Sequence, residues 1–110
     1  MRKYEVKITS HAKESLHNIS QYILKELQAP QAAEKTMVAI RSQIYTLDVM
    51  PTRIPITDEE PWRNYGIRRM RVKNFYVYFW IDEDEHRVQV TNVVFVGRDQ
   101  RKQLEIMPFE

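Results

Sequence analysis

The sequence predicts an α+β domain of order β–α–α–β–β–β, with a helix hairpin packed on one face of a mainly antiparallel four-stranded sheet. Three observations carry this expectation. Two consecutive stretches hold apolar residues at helical spacing: Ala12, Leu16, Ile19, Ile23 and Leu27, then Ala33, Met37, Ile40, Ile44 and Leu47. Three later stretches alternate or run apolar, separated by short polar turns, and one alternating stretch precedes the helices. Side chains repeat about every 3.6 residues on a helix and every two on a strand, so the two patterns mark the two element types.

In chain order, Lys3 to Thr9 sets Tyr4, Val6 and Ile8 against Lys3, Glu5 and Lys7, the pattern of a half-buried strand. Thr9 and Ser10 offer a capping hydroxyl to the first helix. Gln28-Ala29-Pro30 interrupts that helix, and Pro30 suits the first turn of the second. Pro51 ends the second helix near Met50. So short a link predicts a hairpin of helices. Residues Pro51 to Asn64 contain Pro51, Pro55 and Pro61 and show no period, which predicts a surface loop.

Tyr65 to Lys73 reads as a strand with a phase fault. Tyr65 and Ile67 are apolar at odd positions, Met70 and Val72 at even ones. A bulge at Arg68–Arg69 would keep Ile67 and Met70 on one face. After a turn at Lys73-Asn74 comes the strand Phe75–Ile81. It places Phe75, Val77, Phe79 and Ile81 toward the helices and Tyr76, Tyr78 and Trp80 on the opposite, open face. Asp82 to His86 forms the next turn. Val88 to Val96 is the last strand, with Val88, Val90, Val94 and Val96 on one face and Asn92 as a polar interruption. Gly97-Arg98-Asp99 opens a polar segment expected to be helical to Leu104. The first strand must join the same sheet, because alone it cannot bury its apolar face.

The 110 residues argue for one domain. Cysteine is absent, which excludes a disulfide scaffold and thiolate zinc sites and suits a reducing cytoplasm. The start, MRKYEVKIT, carries no apolar signal region, and no run approaches the roughly 20 residues of a membrane helix. His11, His17 and His86 lack ligand spacing, and Gly66 and Gly97 are the only glycines, so neither metal nor cofactor is expected.

The net charge is only +2, but the cations are local. Arg63, Arg68, Arg69, Arg71 and Lys73 fall in one stretch without an acid, next to the tyrosines of the following strand. Guanidinium forks match phosphate oxygens two at a time, and aromatic faces stack bases. The residues alone leave a plainer alternative, a solvated basic face or arginines paired with the acidic turn Asp82–Glu85.

The element order, the strand "NFYVYFWID" after "GIRRMRVK", and the closing "VVFVGRDQRKQL" resemble the RelE/ParE superfamily, from Tyr4 to about Leu104. These are toxins of bacterial toxin–antitoxin, or plasmid stabilisation, systems. The resemblance implies a small cytoplasmic toxin held inactive by a cognate antitoxin. RelE-like members act at the ribosome as endoribonucleases on mRNA; ParE-like members inhibit DNA gyrase without being enzymes. An inactive relic that only binds antitoxin is a further possibility. The family's arginines match Arg68 and Arg98. With them, Tyr78 completes the expected catalytic set, and Arg69, Arg71, Lys73 and Tyr76 the expected RNA and phosphate contacts. Two positions depart from the RelE-like pattern: Phe75-Tyr76 replaces an arginine at the start of the central strand, and Leu104 stands near the place of a terminal tyrosine or histidine.

Overall fold

The computed structural model describes residues 3–97. Strand β1 (Glu5–Ile8) leads into helix α1 (Ser10–Gln21), and a π-helical turn (Tyr22–Glu26) continues it. Helix α2 (Pro30–Tyr45) follows, then strands β2 (Arg68–Val72), β3 (Phe75–Asp82) and β4 (Arg87–Phe95). The sheet order is β1-β4-β3-β2. β1 runs parallel to β4, and the other two pairs are antiparallel. The expected architecture is therefore the observed one, including β1 as a member of the sheet.

Local chemistry explains the helix boundaries. Thr9 caps α1, its Oγ1 accepting from the N–H of Ala12 at 3.3 Å, and Pro30 occupies the first turn of α2. Ala12, Leu16, Ile40, Ile44 and Leu47 are buried against Met70, Val72, Phe75, Val77, Phe79, Val88, Val90 and Val93. Leu27 continues the α1 stripe in sequence, yet it is 58% exposed. The π-turn lengthens the helical repeat before it, and so turns the last member of the stripe away from the sheet.

The sheet departs from the sequence reading at three places. First, the β2–β3 register is unbroken from Arg68↔Phe79 to Val72↔Phe75, so there is no bulge at Arg68–Arg69. Ile67 and Met70 lie in different cores instead of sharing one. Second, the irregularity falls between Tyr78 and Phe79, where β4 carries Thr91 as an extra residue between Val90 and Asn92. That extra residue reverses the parity of β4. Val93 therefore joins the helix-side core, and Val94 joins the other. Asn92 marks the bulge: its Oδ1 accepts from Ser15 Oγ of α1 at 2.8 Å and from the N–H of Val93 at 2.9 Å.

Third, the face opposite the helices is not open. The segment between α2 and β2 crosses it as a strap and closes a second core of Trp62, Ile67, Tyr78 and Val94, with Tyr76 and Trp80 packed against it. The N–H of Thr57 donates to Ile67 O at 2.9 Å, and Ile56 bridges to Arg68. Tyr65 lies in a 3-10 turn (Trp62–Tyr65), and Gly66, at φ 73°, supplies the left-handed residue that ends it. An apolar Trp62 in a polar loop drives this packing, because leaving it in water would forfeit a large buried area.

Candidate functional site

The register of β2 and β3 sets Arg69 beside Tyr78 and Arg71 beside Tyr76 on the strap side of the sheet. The strap adds an acid to this face. Arg69 Nη1 donates to Glu59 Oε1 at 3.0 Å. The Tyr78 hydroxyl donates to the same oxygen at 3.0 Å, and Thr57 Oγ1 donates to it at 2.7 Å. The Arg69 guanidinium carbon lies 4.4 Å from the centre of the Tyr76 ring, a cation–π contact. The rings of Tyr76 and Tyr78 meet edge to face at 6.3 Å.

Electrostatics follows from this clasp. Burial raises the Tyr78 phenol well above its ordinary value of 10.0, and the Glu59 carboxylate raises it further; Arg69 offsets only part of this. Burial is the largest single influence on Arg69 and works against its charge, but Glu59, Tyr78 and Tyr76 together outweigh it and the net direction is upward. Tyr78 therefore binds its proton more tightly folded than unfolded. Its contribution to stability is complete below the unfolded value of about 10 and is lost as pH rises above it. Urea midpoints measured from pH 9 to 11 are expected to fall less steeply for Tyr78→Phe than for the parent. Equal slopes would detach the phenol from alkaline stability.

The other expected residues are placed differently. Arg68 pairs with Phe79, on the face opposite Arg69, and its Nη1 donates to Ile54 O at 2.6 Å. Arg71 is exposed, with Nε donating to Lys73 O at 2.9 Å. Lys73 is exposed in the β2–β3 turn at φ 52°. Arg98 and the expected helix to Leu104 lie outside the described residues. The structure thus brings Arg69, Tyr76, Tyr78 and Arg71 together, separates Arg68 from them, and sets Lys73 at the turn. Sequence reasoning missed Glu59, Thr57 and Trp62. The signal for them was slight: an arginine stretch with no acid of its own, preceded by Asp58-Glu59-Glu60 and a tryptophan that needs burial.

A second feature lies on the helix side. A groove of about 670 Å³ runs between the helix hairpin and the end of the sheet, lined by Ile19, Tyr22, Ile23, Leu27, Phe75 and Phe95 among others. Tyr22, Leu27 and Phe95 are 51%, 58% and 43% exposed, so its rim shows apolar surface to water. Among the described residues no helix is long and apolar enough to cross a membrane.

The family model of the ParE toxin of the type II toxin–antitoxin system, parDE, matches residues 6–102, most of the chain. The chain belongs to the ParE toxin family. It is thus a toxin of a type II toxin–antitoxin system within the RelE/ParE superfamily. Solved structures share the fold of this ParE-family toxin. One, from the chromosomal ParDE toxin–antitoxin system of P. aeruginosa, matches with TM-score 0.71 and 21% identity over 86% of this chain and 97% of that one. Another, from the RelBE2 toxin–antitoxin complex of Mycobacterium tuberculosis, matches with TM-score 0.62 and 18% identity over 84% and 98%. Comparison of the sequence with curated proteins gave no match.

Proposed function

We propose that this ParE-family toxin acts by binding a protein target, DNA gyrase, without catalysing a reaction, and that a cognate antitoxin neutralises it. The observation that carries this reading is the state of the Tyr78 hydroxyl. It lies in a fully buried residue, is given to Glu59, and is shifted away from titration near neutral pH. A general acid or base works best with a value near the operating pH. Arg69 is likewise paired with Glu59 in this structure, and Arg68 with a loop carbonyl. The exposed apolar rim of the helix-side groove suits an amphipathic antitoxin segment that folds as it binds. One fold relative comes from a toxin–antitoxin system and the other from a toxin–antitoxin complex, which supports that partner.

One observation favours RNA as a second reading: exposed Arg71 lies opposite Tyr76 in register, and exposed Lys73 stands in the adjoining turn, a basic and aromatic surface. On that reading the toxin is a ribosome-dependent endoribonuclease, with Arg98 joining the phosphate contacts. Gyrase supercoiling with purified toxin separates the two. Inhibition that persists in Arg71→Ala/Lys73→Ala supports the protein-target reading. Unchanged supercoiling at saturating toxin, with codon-positioned cuts found by primer extension in translating extract, replaces it with the nuclease.

A further inference from the structure

Glu59 is the middle residue of the acidic run Asp58–Glu60, held between two fixed points of the strap. On one side Thr57 is pinned to Ile67 O, and on the other Trp62 is buried in the second core. One oxygen of Glu59, Oε1, takes three donors, Arg69 Nη1, Tyr78 OH and Thr57 Oγ1. The backbone placement of these groups does not rest on the Glu59 side chain, and Thr57 Oγ1 also accepts from the Glu59 N–H at 3.4 Å. Arg69 and Tyr78 are register partners on adjacent strands, Arg69 rests on the Tyr76 ring, and Thr57 is fixed through its backbone. The side chains of Arg69 and Glu59 are 29% and 22% exposed, so the pocket reaches solvent. Rotation of the Glu59 side chain alone would uncover the three donors, because the strap is fastened separately at Thr57 and Trp62.

We propose that Arg69, Tyr78 and Thr57 form a carboxylate-binding pocket whose resident occupant, Glu59, exchanges for an acidic side chain of a partner protein. Two hydroxyls and one guanidinium donor converging on one oxygen suit a carboxylate. The exposed neighbours Asp58 and Glu60 disfavour a more highly charged phosphate. Partly exposed ion pairs hold weakly, so an external carboxylate held nearby by other contacts can compete. The inference takes from the proposed function only that the partner is a protein.

The test is chemical rescue in the full chain. Glu59→Ala is expected to melt lower than the parent and to be restored by potassium acetate more than by potassium chloride at equal ionic strength. The parent, with its pocket filled, should not distinguish the two salts. A short peptide with one glutamate should bind Glu59→Ala about tenfold more tightly than the parent, read by tryptophan fluorescence, and its glutamine counterpart should not. Adding Arg69→Ala should cancel both effects. Acetate acting no better than chloride overturns the proposal, and so does inorganic phosphate outperforming acetate. If Glu59→Ala does not fold, Glu59→Gln keeps the shape, and the peptide alone decides: tighter binding than the parent supports the pocket, equal binding overturns it. Failed rescue with gyrase inhibition intact removes the pocket only. Successful rescue without gyrase inhibition removes the target only.

Discussion

Trp62→Ala is expected to destabilise the toxin by about 3–5 kcal/mol, the usual range for truncating a buried large aromatic. Trp62 is 7% exposed and roofs a core whose other members, Ile67, Tyr78 and Val94, are at most 4% exposed. Its loss leaves a cavity that so small a core cannot collapse to fill. The strap keeps its edge contacts through Arg68 and Thr57 but loses its largest apolar anchor. Urea unfolding followed by far-UV circular dichroism is the measurement. The midpoint should drop and the slope should also fall, because a loosened strap already exposes surface in the native state. A loss under about 1 kcal/mol would mean that the hydrogen bonds, rather than Trp62, hold the strap.

Phe79→Ala is expected to cost a similar amount, about 3–5 kcal/mol, by a different route. Phe79 is fully buried in the main core, between Arg68 on β2 and Val90 on β4 in register. It packs under both helices' apolar stripes, so no part of the fold can be released to relieve the cavity. The midpoint should fall with the slope unchanged, and growth inhibition should weaken as the folded fraction drops, given a total stability of roughly 5–15 kcal/mol. A reduced slope here would place Phe79 in a separately opening unit and contradict the single helix-side core.

The contrast between these two aromatics also measures how far the sequence could be read. Phe79 announces its place, because it alternates with Val77 and Phe75 in a run whose period is local. Trp62 does not, because it stands in an aperiodic loop among three prolines and five charged residues. Its burial depends on a sheet face that only forms once β2, β3 and β4 are assembled. The candidate site divides in the same way. Register and alternation place Arg69, Tyr76 and Tyr78 on one face, and that much was legible. The reading of the same face as open failed because Tyr78 needed a partner for its hydroxyl. That partner, Glu59, lies 19 positions earlier in the chain.

Spacing within a few residues, or short motifs, was enough to read the element order, the helix stripes apart from Leu27, the capping at Thr9 and Pro30, and the toxin family. The tertiary structure alone decided three things. The bulge belongs to Thr91 and not to Arg68–Arg69, because cross-strand pairing is a property of two strands together. The strap covers the second face, because an isolated loop has no surface on which to bury Trp62. The arginine stretch separates into Arg68, which fastens the strap, Arg69, which is clasped by Glu59, and an exposed Arg71. Adjacent residues on a strand point to opposite faces, and each face meets a different part of the chain.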